Sequence, residues 1–334
     1  MSIGNAKELG IVMGLFRSAM IGVAVAFGVG LASAQAADLS EIRIDWATYN
    51  PVGLLLKKEG LLEKEFAKDK IGIRWVQSTG SNKALEFLNA GSIDFGSTAG
   101  AAALIARVNG NPVKSIYVYS RPEWTALVTR ADSPISTVQD LKGKTIAVTR
   151  GTDPHIFLVR ALADAGLKQS DVKLVLLQHA DGKLALLRGD VDAWAGLDPL
   201  MAAAEVEDKA KLFYRKPENN TWGVLNTTET FVTEHPDIVK RVIATYEKAR
   251  ADAIANPAAL KAALVDAAKL PDDVIAKQLE RTDISQPTIG EQQRDTISKA
   301  GLALQSAGVL PADIDIRKVT NELIDDRFAV SKTQ

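Results

Sequence analysis

Four short segments combine small residues with polar ones in a way that suits anion binding. Each follows a strand-like run and opens a helix-like run, at residues 48–51, 96–100, 150–155 and 196–199. A helix N-terminus offers free N–H groups and the positive end of the helix dipole, and glycine lets a ligand approach the backbone closely. Segments of this kind at the carboxyl edge of a parallel sheet line its ligand crevice. The pattern predicts a cleft that takes an anionic head group.

The residue types needed for several kinds of catalysis are missing or isolated. The chain of 334 residues has no cysteine and three histidines, which excludes thiolate nucleophiles, disulfides and cysteine-ligated metals. The sequence has no serine-hydrolase elbow, phosphate-binding P-loop, dinucleotide-binding loop or zinc-protease helix motif. Ser170 and Lys173 fit one serine-enzyme spacing, but its companion motifs are absent. We therefore expect no catalytic residues, no metal site and no cofactor.

The charge balance argues against partners that are held by a bulk positive field. Lys and Arg total 40 and Asp and Glu total 41, which gives a formal net charge of −1. Proteins that bind nucleic acids or anionic membrane surfaces usually carry an excess of positive charge. Apolar residues make up 46% of the chain, as in an ordinary globular protein. We expect a small-molecule ligand and no nucleic acid or membrane partner.

The N-terminus has the order of segments found in a secretory signal peptide. Lys7 and Arg17 are followed by an uncharged run over residues 18–31, and small residues with two A-x-A patterns occupy residues 32–36. The uncharged run is shorter than the roughly 20 residues that a membrane-spanning helix needs. We expect residues 1–36 to be a cleaved signal peptide, and the alternative is an anchor that stays attached. Without cysteine, the mature chain would be periplasmic and carry no lipid anchor on that residue.

Strand-like and helix-like runs alternate along the rest of the chain. Apolar periodicity predicts strands at 42–46, 71–77, 93–95, 113–119, 124–129, 145–149, 172–177 and 191–194, with helices between them. After about residue 226 the chain becomes rich in helix. The alternation predicts an α/β protein with two lobes, each a mostly parallel sheet flanked by helices, and a helical C-terminal tail. We assign residues 37–122 plus 226–334 to the first lobe and residues 123–225 to the second, with the ligand between them.

Several single residues near the predicted crossovers admit two interpretations. Trp124 and Trp222 either wall the cleft against an apolar ligand tail or pack between the lobes near the hinge. His155 lies in the first turn of a helix that is expected to face ligand, or it serves at the surface or in capping. Asn226 follows the second crossover and is a further candidate for ligand binding.

Five segments spread over the mature chain resemble a known family. They read LNAGSIDFG at residues 88–96, DLKGKTIAV at 140–148, GDVDAW at 189–194, LDP at 197–199 and EHPD at 234–237. In order and spacing the chain is similar to the substrate-binding proteins of ABC importers for aliphatic sulfonates, nitrate and taurine. The resemblance implies a type II periplasmic-binding fold, in which two crossing strands join the lobes. It also implies a permease partner, a monomeric state and binding without catalysis.

The resemblance also carries over to the polar loops. Tyr49 and Asn50 match the family's first ligand loop, Ser97 and Thr98 match the second, and Asp198 matches the Asp of a Trp-Asp-Pro motif. This chain has Leu197 where that Trp is common, and Ser-Thr-Ala-Gly where Gly-Asp-Thr-Pro is more usual. The resemblance and the loops together give the predicted ligand-binding residues Tyr49, Asn50, Ser97, Thr98, Trp124, Gly151, Thr152, His155, Asp198, Trp222 and Asn226.

The resemblance and the aromatic residues favour an alkanesulfonate such as taurine as the ligand. Nitrate would need a small and fully polar pocket, whereas a sulfate ester, an aromatic acid or a pyrimidine precursor would use an apolar extension. An enzyme related to pyrimidine-precursor synthases is an alternative on the same fold. Its Cys and His groups are mostly lacking here. A sensor that uses the same cleft to signal is a third alternative, and it would be favoured by a fused signalling domain.

Overall fold

The computed structural model describes residues 39–330. The strands are β1 (Glu41–Trp46), β2 (Gly72–Gln77), β3 (Gly96–Ala99), β4 (Val113–Pro122), β5 (Leu127–Thr129), β6 (Thr145–Val148), β7 (Lys173–Leu176), β8 (Ala193–Ala195), β9 (Lys211–Tyr214), β10 (Gly223–Thr228) and β11 (Thr282–Asp283). The helices are α1 (Pro51–Lys58), α2 (Leu61–Phe66), α3 (Ser81–Asn89), α4 (Gly100–Val108), α5 (Asp153–Asp164), α6 (His179–Arg188), α7 (Leu200–Val206), α8 (Glu229–Glu234), α9 (Pro236–Ala255), α10 (Pro257–Ala268), α11 (Asp272–Glu280), α12 (Glu291–Ser306) and α13 (Ile316–Leu323). Short 3₁₀ helices lie at Ala67–Asp69, Gln139–Leu141, Gln169–Asp171, Pro217–Asn219 and Asp326–Phe328.

A five-stranded sheet is built from β5 to β9, in the order β7-β6-β8-β5-β9. Strand β6 runs parallel to β7 and β8, and β5 runs antiparallel to β8 and β9. Apolar side chains form two separate clusters here, one around Phe157 and Leu162 of α5 and the other around Leu186 and Met201. The sheet lies wholly within the predicted second lobe. The names first lobe and second lobe are used below with their predicted bounds.

The first lobe contains two further sheets. Strands β1 and β2 form a parallel pair, and Ile44 of β1 also bridges to Phe95 just before β3. The other sheet has four strands in the order β11-β4-β10-β3, and all of its strand pairs are antiparallel. One large apolar cluster joins these strands to the helices around them, including Tyr246 of α9 and Leu304 of α12. The predicted α/β class and the helical C-terminal tail are confirmed.

The prediction that each sheet is mostly parallel is wrong. Strand β4 carries the chain out of the first lobe and β10 brings it back, so two strands that pair side by side must run in opposite directions. The same return strand explains a second difference, because residues 96–99 form β3 rather than a loop. Their small polar side chains resemble a turn, yet they pair with β10 over Gly96–Ala99.

The C-terminal helices also contact the second lobe. Val274 of α11 is buried against Ala202 and Ala203 of α7. The predicted signal peptide at residues 1–36 lies outside the described residues. Between residues 39 and 330, no helix combines the length and apolar character needed to cross a bilayer.

Candidate functional site

A small cavity lies between the two lobes, at the point where helices from both of them begin. Its empty space measures about 190 Å³ when the part that opens to solvent is included. Its lining residues, in chain order, are Tyr49, Ser81, Trp124, Thr152, Asp153, Pro154 and Leu197. Tyr49, Trp124 and Thr152 were predicted from the sequence as ligand-binding residues. The structure thus brings part of the predicted set together at one place between the lobes.

Two aromatic rings form the apolar wall of this cavity. The rings of Tyr49 and Trp124 meet edge to face, with centroids 5.9 Å apart. The Tyr49 hydroxyl donates to the carbonyl oxygen of Ser97 at 3.0 Å. The indole N–H of Trp124 donates to Oδ2 of Asp153 at 2.8 Å. Because both polar atoms are used within the protein, these side chains offer carbon surface to a ligand tail.

A buried polar layer supports the Tyr49 loop from behind. Asn50 accepts from the amide of Gly53 at 2.9 Å, which caps α1, and donates to Oγ of Ser97 at 2.8 Å. Asp45 in turn accepts from the amide and the hydroxyl of Ser97 at 2.8 and 2.9 Å. Burial raises the pKa of Asp45 to about 7, against the lowering effect of its hydrogen bonds from Ser78 and Ser97. The polar groups of Asn50 and Ser97 are therefore occupied by hydrogen bonds within the protein.

Three of the helix ends that the loop pattern predicted as anion sites are already capped. The α1 end is capped by Asn50, as described above. The amides that open α4 donate to the carbonyl and the hydroxyl of Thr221, both at 3.0 Å. In α7 the amide of Ala202 donates to Oδ1 of Asp198 at 2.9 Å. These ends have donors that are satisfied by the protein, so they offer little to a ligand.

The N-terminus of α5 remains open. The hydroxyl of Thr152 precedes the helix but donates to the carbonyl of Thr149 at 2.7 Å, so it does not cap. Within the described residues, the amides of Thr152 and Asp153 form no hydrogen bond. Gly151 has a φ of 77°, a left-handed conformation that favours glycine. This end therefore presents free donors and the positive end of the dipole to the cavity.

The N-terminus of α3 is a second open end, and the sequence analysis missed it. Its preceding residue is Gly80, which has no side chain to cap with, and the amides of Ser81 and Asn82 form no hydrogen bond within residues 39–330. A β-carbon on Gly80 would lie 2.7 Å from Oδ1 of Asn82 and 3.1 Å from Nε2 of His179, across the lobe boundary. The signal was present, since residues 78–82 read STGSN after a predicted strand.

His179 faces this end of α3 from the second lobe. It is 3% exposed, and the Nε2 atom has no hydrogen-bond partner among the described residues. The hydroxyl of Thr149 donates to the carbonyl of Leu177 at 2.7 Å, so it accepts from Nδ1 of His179 at 3.2 Å. Burial lowers the pKa of His179 to about 3, which keeps the ring neutral at physiological pH. Nε2 then carries no proton, and its lone pair can accept a hydrogen bond.

Asp153 is a further residue that the sequence analysis did not single out. Its carboxylate accepts from the indole of Trp124, and from the amide and hydroxyl of Thr221 at 3.1 and 2.6 Å. Burial raises the pKa of this carboxyl group. The carboxylate is thus turned toward the crossover strands, and it holds Trp124 in position while the helix amides stay free.

The other predicted residues lie away from this cavity. Asn226 donates to Oγ1 of Thr98 at 2.8 Å and accepts from Ser115 at 2.6 Å, so it joins β10 to β3 and β4 inside the sheet. His155 has Nε2 3.4 Å from Oε1 of Gln169 within the second lobe, and burial lowers its pKa. Both side chains are buried in the protein interior.

Asp198 and Trp222 are also engaged elsewhere. Both carboxylate oxygens of Asp198 accept from Arg281, at 2.7 and 2.8 Å, and this pair joins α7 to the end of α11. Trp222 has a φ of 63° and carries the guanidinium of Arg121 over its ring at 5.3 Å. Trp222 therefore lies at a part of the crossover that does not line this cavity. Among the described residues, no group of three or more histidines and carboxylates is arranged to hold a metal ion.

Comparison with known proteins gives a consistent family. A family model described as "NMT1/THI5 like" matches residues 65–260. A putative aliphatic sulfonates-binding protein of Escherichia coli K12 is 33% identical over 232 residues, which cover 69% of this chain and 72% of the relative.

Solved structures share the fold over most of the chain. The alkanesulfonate-binding protein SsuA from Xanthomonas axonopodis pv. citri, bound to MOPS, is 26% identical with a TM-score of 0.77. The match covers 86% of this chain and 98% of that one. The desulfurization enzyme DSZB has a TM-score of 0.62 at 14% identity, a likeness that shows the fold alone.

Proposed function

Because the chain belongs to the NMT1/THI5-like family, we propose that it is the solute-binding component of an ABC importer for a small aliphatic sulfonate. The observation that carries this proposal is the meeting of two open helix N-termini, those of α3 and α5, at one cavity between the lobes. Their free amides and dipoles suit a sulfonate, whose oxygens are acceptors and whose charge is negative. The site would need no lysine or arginine to bind the head group.

The aromatic wall supports a ligand with an apolar tail. Tyr49 and Trp124 offer their ring surfaces beside the open helix ends, because their polar atoms are bonded within the protein. A methylene chain on the sulfonate would be removed from water there, at about 25 cal/mol per Å² of buried apolar surface. Nitrate has no tail to use this surface. An alkanesulfonate therefore matches the chemistry of both halves of the cavity, the open helix ends and the aromatic wall.

We further propose that the ligand is bound and released unchanged. Asp153 is the carboxyl group in the cavity wall, and its oxygens are occupied by Trp124 and Thr221. A general base needs a free position within hydrogen-bond reach of the substrate. The ligand would act by favouring closure of the lobes, which requires only that it binds the closed form better.

The setting follows from the same proposal. A chain that captures a sulfonate for import would act in the periplasm, after loss of residues 1–36, and would deliver its ligand to the membrane subunits of a permease. We propose that it does so as a monomer, since the cavity is lined by both lobes of one chain.

Calorimetric titration of the chain beginning at Ala37 tests this proposal. Ethanesulfonate, taurine, MOPS, nitrate, benzoate and orotate would each be titrated, and thermal unfolding would be followed in parallel, because a ligand of the native state raises Tm. We expect saturable binding by at least one sulfonate and none by nitrate. Binding of nitrate, benzoate or orotate without any sulfonate would overturn the assignment.

A further inference from the structure

A second cavity lies at the crossover strands and shares none of its lining residues with the one described above. Its volume is about 260 Å³. Its walls are formed, in chain order, by Arg121, Arg160, Pro217, Glu218, Asn219, Asn220, Trp222, Gln292, Asp295, Thr296 and Lys299. Residues of α5 and α12 face each other here, so both lobes contribute.

Two arginines in this wall, Arg121 and Arg160, form no salt bridge among the described residues. The charges of Asp153, Asp164 and Glu218 nevertheless act on Arg160 from a longer distance. Arg121 lies over the ring of Trp222 at 5.3 Å, and Nη1 of Arg160 donates to the carbonyl of Asn219 at 3.2 Å. A guanidinium that stacks by its face keeps its edge N–H groups free for an oxyanion.

The rest of the wall balances part of the charge. Asn219 accepts from Arg160 through its backbone carbonyl, and its own Nδ2 atom is buried away from the surface. Lys299 is paired with Asp295 at 2.7 Å, so these two charges offset each other. Glu218 also lines the cavity, and its charge acts on Arg160. Arg121, Arg160 and Lys299 against Glu218 and Asp295 leave the lining with one net positive charge.

We propose that this cavity is a second binding site, which takes a small oxyanion with phosphate or carboxylate groups. Arg121 and Arg160 would bind it through paired N–H donors, a geometry that matches two oxygens of one group. Because Arg160 belongs to α5 and Lys299 to α12, an occupant bridges the lobes. The site requires no sulfonate and does not depend on the function proposed above.

Calorimetry with inorganic pyrophosphate and with inorganic phosphate tests this site on the chain beginning at Ala37. We expect pyrophosphate to bind, and the Arg121→Gln and Arg160→Gln variants to weaken it at least about tenfold each, as expected when a charge-assisted pair of hydrogen bonds is lost. Arg188→Gln is the matched control, since Arg188 is exposed and outside the cavity. It should bind as the wild type does.

If Arg160→Gln unfolds, Arg121→Gln decides alone, since Arg121 is exposed. The proposal is overturned if millimolar pyrophosphate gives no binding, or if Arg121→Gln binds it like the wild type.

Discussion

Gly80 opens α3 and lies against His179 of the second lobe. We predict that Gly80→Ala weakens sulfonate binding at least about tenfold, which corresponds to about 1.4 kcal/mol. The added β-carbon would lie 2.7 Å from Asn82 Oδ1, at the end of a side chain that can turn away, and 3.1 Å from His179 Nε2. His179 of the second lobe would therefore have to move back by a few tenths of an ångström. Calorimetric titration with the tightest sulfonate measures the change.

Gly290→Ala is the matched control for this substitution. Gly290 also precedes a helix with an extended backbone, and a β-carbon there would meet no atom within 4 Å. Its sulfonate affinity and its Tm should match those of the wild type. Equal affinity in Gly80→Ala would show that this contact has no part in binding.

His179 is predicted to make the protein less stable as the pH falls. Its pKa is about 3 in the folded chain and 6.5 when exposed, so below pH 6.5 the unfolded state binds the proton first. Stability is therefore lost as the pH drops from 6.5 toward 3. His179→Leu should remove about 2 kcal/mol of that loss between pH 6.5 and 4.5. Denaturant unfolding at several pH values measures it, and an unchanged slope would contradict it.

Asp45 should act in the opposite direction over the same pH range. Its pKa is raised to about 7, so between about pH 4 and 7 the folded state holds the proton more tightly. Stability is therefore lost as the pH rises through that range. In Asp45→Asn, unfolding free energy should increase with pH more steeply than in the wild type. A slope like that of the wild type would mean that Asp45 is ionised throughout.

At the scale of elements, the ion pair of Asp198 and Arg281 ties α7 to the end of α11. Both side chains are nearly fully buried, at 2% and 6% exposure. We predict that Arg281→Met destabilises the protein by about 3 kcal/mol, because it leaves a buried carboxylate without its counter-charge. Denaturant unfolding gives the value.

A double variant and a surface pair complete this test. Asp198→Asn combined with Arg281→Met should recover part of the loss, since it removes the uncompensated charge and keeps Oδ1 as the acceptor for Ala202. Lys240→Met removes an exposed pair with Asp237 and should change stability by no more than about 0.5 kcal/mol. Equal effects of Arg281→Met and Lys240→Met would contradict the argument.

The sequence predicted most elements but not how the strands are directed. Alternating residues located β1 and β2 to within about a residue, because their periodicity depends on local burial. The direction of β10 depends on the route by which the chain returns from residue 222. The small residues of β3 carry no strand signal of their own, since pairing with β10 decides their conformation.

The site was predictable in part for the same reason. A polar segment before a helix signals an N-terminus, and this found the Thr152 loop and would have found Ser81. Whether such an end is open depends on distant residues. Thr221 caps a helix that begins 120 positions earlier in the chain. Arg281 donates to the carboxylate of Asp198, which lies 83 positions earlier. No local pattern contains that information.

At the scale of the whole molecule, the cavity of about 190 Å³ is lined by both lobes, so its shape depends on their separation. We predict that a saturating sulfonate lowers the radius of gyration measured by small-angle X-ray scattering, because the ligand favours the closed arrangement. Gly80→Ala should show a smaller decrease at the same sulfonate concentration. Calorimetric binding with no change in the radius would contradict hinge closure.

The place of β10 between β4 and β3 also sets the order in which the chain can fold. Strand β3 pairs in its sheet only with β10, which is about 130 residues further along. A chain that emerges N-terminus first can therefore assemble the sheet of β5 to β9 before the four-stranded sheet has its central strand. Until residue 228 is released, β3 and the facing edge of β4 lack their partner and are open to association with other chains. A chaperone that binds the emerging chain would be needed most over that interval.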